Sequence, residues 1–180
     1  MAGRIVSLSR SPNHAFSKDG ATTLRLIAGI GVEGDAHAGK KVQHRSRVAV
    51  DPSQPNLRQV HLLHAELLHD LKAKGFSIRP GQLGENILTQ DIDLLGLPTG
   101  ARLALGDEAE IEITGLRNPC RQIETFETGL FEQVAYRDGS GTWVRLVGVM
   151  AIVLTAGEIL VGDSIHIRWP DPPHRSLVPV

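Results

Sequence analysis

The stretch TGLRNPCRQIE, Thr114 to Glu124, holds the only cysteine of the 180 residues. Cys120 sits among Arg117, Asn118, Pro119, Arg121 and Gln122, where a core thiol would have apolar neighbours. The thiolate is the nucleophilic and metal-ligating form of cysteine, and nearby cations favour it. Arg117 and Arg121 are the cations within reach along the chain, and the fixed φ of Pro119 helps to aim the next residue. The local chemistry points to a reactive or metal-ligating sulfur. The competing reading is a small, inert, buried thiol.

Three other segments carry candidate chemistry. GIGVEG, Gly29 to Gly34, fits G-x-G-x-x-G. A dinucleotide site needs a helix to open at its end, and DAHAGKKVQH has no helical periodicity. The glycines read instead as a tight turn, or as a close backbone approach to a ligand with Asp35, His37 and Lys40 alongside. PGQLGENI, Pro80 to Ile87, brackets Glu85 and Asn86 between glycines and an apolar stretch. Their side chains either cap a turn or meet a ligand. His61 and His64 lie three apart, with Glu66 and His69 nearby. A zinc site needs convergent ligands and not spacing alone, so packing or surface histidines are the better reading.

These residues must be positioned by many short elements. Glycine is abundant at 19 and proline at 10, while aromatics are 4%. GRIVSLSR, TTLRLIAG, ARLALGD and EIEITGL suggest half-buried antiparallel strands through full or partial apolar–polar alternation. VGVMAIVLTAG is continuously apolar and predicts a strand buried on both faces. EILVGDSIHIRW alternates again. The echo between LALGD and ILVGD predicts two similar Gly–Asp turns. HAELLHDLKAKG predicts a helix closed by Gly75, and RQVHLL before it is either a strand or that helix's first turn. ETFETGLFEQVAYR predicts a second helix with Phe126, Leu130, Phe131 and Val134 on one face. VQHRSRVAVDPSQPN reads as an irregular loop. Residues 1–168 form one expected domain. Residues 169–180, with four prolines, form a tail that lies on the body or on a neighbour. The fold class is mainly β (α+β), a barrel-like domain with a few peripheral helices.

The composition excludes little. The formal net charge of -1 offers no attraction to nucleic acid. No apolar run suggests a membrane span or a signal peptide. A single cysteine is compatible with a reducing cytoplasm, the expected location.

GVEGDAHAG, RQVHLLHAELL, PGQLGENI, LPTGARLALGDEAEIEITGLRNPCRQIE and GVMAIVLTAGEILVGDSIHI, in that order, closely resemble the MOSC domain. That domain is also found at the C-terminus of molybdenum-cofactor sulfurases. The resemblance runs from about Val6 to Ile167 and is nearest to the stand-alone bacterial YiiM-like members. It implies a β-barrel whose pocket holds the molybdenum cofactor, or a sulfur atom carried on Cys120. By motif it carries roles onto Gly34, Asp35 and His37, onto Gly84, Glu85 and Asn86, and onto Arg117 and Cys120. Cys120, Glu85 and His37 are the expected catalytic residues, and Cys120 the metal ligand. Arg117, Asn118, Asn86, Asp35, Lys40, Arg45 and His61 are the expected cofactor-binding residues, with Arg117, Lys40 and Arg45 as candidates for the pterin phosphate. The implied activity is reduction of N-hydroxylated small molecules. The alternatives are a persulfide sulfur carrier and a non-enzymatic binding barrel. No pyridoxal-phosphate-binding or ferredoxin domain is read in the chain, so a separate electron-donor or sulfur-donor protein is expected. A homodimer through the tail is a further expectation.

Overall fold

The computed structural model describes residues 2–180, so Met1, where the expected single domain begins, lies outside the described residues. The first half of the chain forms β1 (Gly3–Arg10), β2 (Asp19–Ala21), β3 (Thr23–Ile27), β4 (Gly31–Val32), α1 (Arg45–Val48), β5 (Val60–His64), α2 (Ala65–Ala73) and β6 (Ile87–Gln90). The second half forms β7 (Arg102–Leu105), β8 (Ala109–Leu116), α3 (Gln122–Phe126), α4 (Leu130–Val134), β9 (Ala135–Arg137), β10 (Trp143–Arg145), β11 (Val149–Thr155), β12 (Gly157–Leu160) and β13 (Ser164–Arg168). Among the described residues no helix is long and apolar enough to cross a membrane.

Seven strands close a barrel in the order β13-β7-β8-β11-β5-β6-β1, with β1 pairing back to β13 and β2 appended to β1. Neighbours are antiparallel except β5 and β6, which run parallel and are joined through α2. A parallel pair needs such a crossover, and closure removes free sheet edges. Alternation sets the inner face. Leu103, Leu105, Ile111 and Ile113 are buried, while Glu110 and Glu112 lie outside, paired with Arg102 and Arg168. A second apolar cluster lies where Leu67 and Leu71 of α2 meet Ile123, Leu130 and Val134. It anchors the chain directly after Cys120.

Several expectations need adjustment. RQVHLL ends in strand β5, and α2 starts only at Ala65. The single helix expected over ETFETGLFEQVAYR is two short turns, α3 and α4, divided at Gly129 with φ 82°. The cause is Glu124, whose carboxylate accepts the amides of Gly129 at 2.9 Å and Phe131 at 3.3 Å and so caps α4. The HRSRV segment contains the one-turn helix α1 within the expected loop. In β11, Ile152 and Leu154 are only half-buried, so its outer face is not fully covered. The two Gly–Asp turns exist, with Gly106 at φ 58° and Gly162 at φ 101°. The C-terminal arm lies on the body. Leu116 N–H donates to Val178 O at 2.8 Å, and Thr99 N–H donates to Arg175 O at 2.9 Å.

A buried polar hub joins the loops at one end of the barrel. Asp35 has a fully buried side chain whose Oδ2 accepts Lys18 Nζ at 2.8 Å, Asn86 Nδ2 at 3.0 Å and the Ser11 amide at 3.3 Å. Its Oδ1 accepts the His37 amide at 2.9 Å. Asn86 donates its other amide proton to Ser9 O at 3.1 Å and accepts from the His61 amide at 3.1 Å. Burial alone would raise the Asp35 pKa, but the His37 hydrogen bond and the Lys18 charge overcome it and hold the carboxyl well below its usual range. Opposite the hub, Gly148 has φ 81°, and a Cβ there would overlap the Leu62 carbonyl oxygen. Only glycine lets this segment lie against β5.

Two outcomes follow from this packing. Gly148→Ala should destabilise the fold by on the order of 2–4 kcal/mol in urea unfolding, because it adds both left-handed backbone strain and overlap. Asp35 has a depressed folded pKa, so its contribution is present above the unfolded value of about 4 and is lost as pH falls below it. Unfolding between about pH 3 and pH 7 should show that acid limb in the wild type. Asp35→Asn should flatten the limb and start about 3–5 kcal/mol less stable, since it strands the Lys18 cation. An unchanged acid limb in Asp35→Asn would remove Asp35 as its source.

Candidate functional site at Cys120

β8 ends at Leu116, and the next residue turns inward. Arg117 N–H donates to Gly148 O at 3.0 Å, which fixes the start of the cysteine loop to the segment that enters β11. The Arg117 side chain is buried, and its Nη1 has no hydrogen-bond partner. Burial holds its pKa below the ordinary arginine value, while the Cys120 thiolate and Glu85 oppose that shift. Glu85 is also buried. Oε1 accepts the Gly81 amide at 2.5 Å, and Oε2 has no partner. Burial raises the Glu85 pKa against the pull of its amide donors and of Arg117. Cys120 is half-buried, and its thiol donates to Gln122 Oε1 at 3.5 Å.

More cations gather here than the sequence reading names. Arg58 is half-buried, and its buried Nε is unpartnered. Burial pushes its pKa down to about 10, assisted by Arg47 and Arg117 and opposed by the Cys120 thiolate. His44 is held down to about 4 by burial, then by Arg58, His37 and Arg117, so it is a neutral imidazole at pH 7. The His37 ring lies 5.2 Å from that of His14 and 5.5 Å from that of His44, with Nδ1 3.2 Å from Asp35 Oδ1. Lys18 is buried beside Asp35 and within the electrostatic reach of Glu85 and Arg117. The result is a cation-rich cluster with a half-buried sulfur atom beside it. It can hold an anion, and it offers one soft donor to a metal.

The structure brings Cys120, Arg117, Glu85, His37 and Asp35 into one connected cluster. Both amide protons of Asn86 are engaged by Ser9 and Asp35, so Asn86 positions this cluster. Asn118 is exposed at the rim, where its Oδ1 accepts Arg145 Nε at 3.4 Å. His61 is buried, with Nε2 2.7 Å from Val147 O. Burial and the nearby Arg117 charge keep it neutral, so it donates to that carbonyl and braces the Val147–Gly148 segment. Lys40, Arg45 and Arg121 are exposed, and among the described residues no salt bridge ties them to the cluster.

His61 and His64 are three apart on strand β5, so they face opposite sides. His64 instead lines a separate cavity of about 350 Å³ with Glu66, Asp91 and Asp93. Among the described residues, no group of three or more His, Cys, Asp or Glu side chains is arranged to hold a metal ion. Sequence reasoning missed Arg58, Arg47, His44 and Lys18. None lies in a spacing pattern with Cys120, and only the closed barrel brings them together.

Among solved structures, the chain is similar to the YuaD protein of Bacillus subtilis, with a TM-score of 0.75 and 21% identity over 95% of this chain and 98% of that one. It is also similar to YiiM of Geobacillus stearothermophilus (TM-score 0.64, 15% identity, 97% of this chain and 79% of that one). YiiM of Escherichia coli gives a TM-score of 0.62 at 16% identity, covering 97% of this chain and 73% of that one. At these identities the likeness establishes the fold. A search of the curated proteins finds no match. The sequence profile of the MOSC domain matches residues 34–166, a span that holds Asp35, Glu85, Arg117 and Cys120, and the chain belongs to the MOSC domain family.

Proposed function

We propose that the Cys120 hollow holds the molybdenum cofactor and that the protein reduces N-hydroxylated small molecules there. The observation that carries this reading is the convergence of one sulfur with two buried, unpartnered polar atoms, Arg117 Nη1 and Glu85 Oε2. A buried charge without a partner is costly, so such atoms mark a place where a ligand completes the set. The donor set fits the group. Cys120 offers one soft sulfur ligand, and Arg117 and Arg58 would hold anionic oxygens by charge-assisted hydrogen bonds.

When bound, the cofactor supplies a redox-active metal–dithiolene centre. The chain's own residues supply binding and protons. Reduction of R–NH–OH breaks the N–O bond, consumes two electrons and two protons, and yields R–NH2 and water. Glu85, with its raised pKa and free Oε2, is the group placed to hold one of those protons. His37, with Nδ1 3.2 Å from Asp35 Oδ1, would pass protons to water. The two electrons come from a separate protein. Cytoplasmic conditions would keep Cys120 reduced.

The same cations would also stabilise a persulfide anion on the half-buried Cys120 sulfur, so sulfur carriage is the second reading. The two are separated by composition. Protein made in a cofactor-competent host should contain molybdenum and pterin, and Cys120→Ser should lower both by about 10-fold or more. Absence of both from wild type and variant alike rejects the reading. A gain of about 32 Da on Cys120 after incubation with a cysteine desulfurase, with no pterin present, selects the carrier. Glu85→Gln keeps an acceptor for the Gly81 amide, so cofactor content should hold while kcat falls about 100-fold. An unchanged kcat removes Glu85 from the proton path.

A further inference from the structure

We propose that the β9–β10 hairpin is the docking platform for an electron-carrier protein with an acidic face, delivering electrons to the Cys120 site; this rests on the reductase reading above. The hairpin is a two-stranded sheet, hydrogen-bonded as a pair and separate from the barrel sheet. Trp143 is 43% exposed on the face that carries Arg137 and Arg145, while Tyr136, 41% exposed, points to the opposite face. Arg137 lies 5.0 Å and Arg145 5.8 Å from the centre of the Trp143 ring. Trp, Tyr and Arg are the side chains most enriched at the centres of protein interfaces, and stacking on a ring pre-orders the guanidinium groups.

Charge selects the partner. The surface ion pairs among the described residues are Arg4–Asp91, Arg102–Glu110, Arg102–Glu112 and Arg168–Glu110, all on barrel strands or the loop after β6. Arg121, Arg137 and Arg145 have no carboxylate within ion-pair distance among the described residues. The acids nearest in the chain are largely engaged or point to other tasks. Asp138 accepts from Ser140 and Thr142 in the hairpin turn, and Glu124 caps α4. Glu127 and Glu132, on the α3–α4 connection and α4, are the remaining carboxylates beside the hairpin. Arg137 and Arg145 share the Trp143 face of the hairpin, and with no carboxylate in ion-pair distance among the described residues they present two guanidinium groups to the acids of a partner.

Position links the platform to the site. Arg145 Nε donates to Asn118 Oδ1 at 3.4 Å, two residues from Cys120. Past β10 the chain runs through Val147, braced by His61, to Gly148, which holds Arg117. A carrier seated on the hairpin therefore sits against the rim of the hollow.

The test is titration with two probes, an acidic FMN protein (a flavodoxin) and a basic haem protein (cytochrome c), followed by calorimetry and NMR line broadening. The flavodoxin should bind and the cytochrome should not, and raising salt from about 20 mM to about 300 mM should weaken binding 10-fold or more as surface charges are screened. Arg137→Glu and Trp143→Ala should each weaken it about 10-fold, with thermal unfolding confirming that both variants fold. Arg102→Glu and Arg168→Glu, on the barrel wall, should change it by less than about 2-fold. No binding, equal loss in the barrel-wall variants, or sedimentation showing a dimer closed through this hairpin overturns the proposal. Binding needs no metal, so a protein that binds flavodoxin yet contains no molybdenum rejects the reductase reading alone.

Discussion

Charge removed from water must be matched, and this constraint separates scaffold from site. Asp35 and Lys18 are both buried, and each satisfies the other within 2.8 Å. The pair is closed, with His37, Asn86 and the Ser11 amide using the remaining lone pairs of the carboxylate. Arg117 and Glu85 are equally buried but leave Nη1 and Oε2 without partners. A closed ionic set holds a fold in place, whereas an open one has capacity for something else. The open set lies beside Cys120, within its electrostatic reach.

Neutral hydrogen bonds do the positioning. His61 would be a poor ligand here, because it is buried and its Nε2–H is directed at Val147 O. That contact, with the glycine at 148, sets the height of the backbone from which Arg117 hangs. Asn86 works in the same way, joining β1, β5 and the Asp35 turn with one side chain. Both residues act through others and do not themselves face the hollow.

The barrel was legible because a strand in a closed sheet shows one face to the core, and that leaves a period of two in ARLALGD and EIEITGL. The split of the second helix was less legible, since Glu124 satisfies amides five and seven residues ahead and no apolar period records such a cap. At the site, Cys120 and Arg117 could be found because they are neighbours in sequence. Asp35, His37 and Glu85 were legible as possible ligand contacts beside glycine-rich turns, and the family resemblance gave them their roles. Arg58, His44 and Lys18 come from distant segments with ordinary local composition. Lys40 and Arg45 carried the right charge in the right region, but their side chains are exposed. Sequence spacing reports neighbours along an element, and this hollow is made between elements.

The same reasoning accounts for a cationic site in a chain that is almost neutral. On the barrel wall, carboxylates on β8 meet an arginine on β7, one strand spacing away, and one on β13, two spacings away, and the charges cancel there. Around Cys120 the basic residues come from loops, from α1 and from the hairpin, and the nearby acids are engaged with backbone amides: Glu124 at α4 and Asp138 in the hairpin turn. Such an acid stays ionised but is tied to its own turn, out of ion-pair distance of the arginines among the described residues. Positive potential is therefore left where the chain is irregular and cancelled where it is regular. That division places the cations beside the one residue able to supply soft sulfur chemistry.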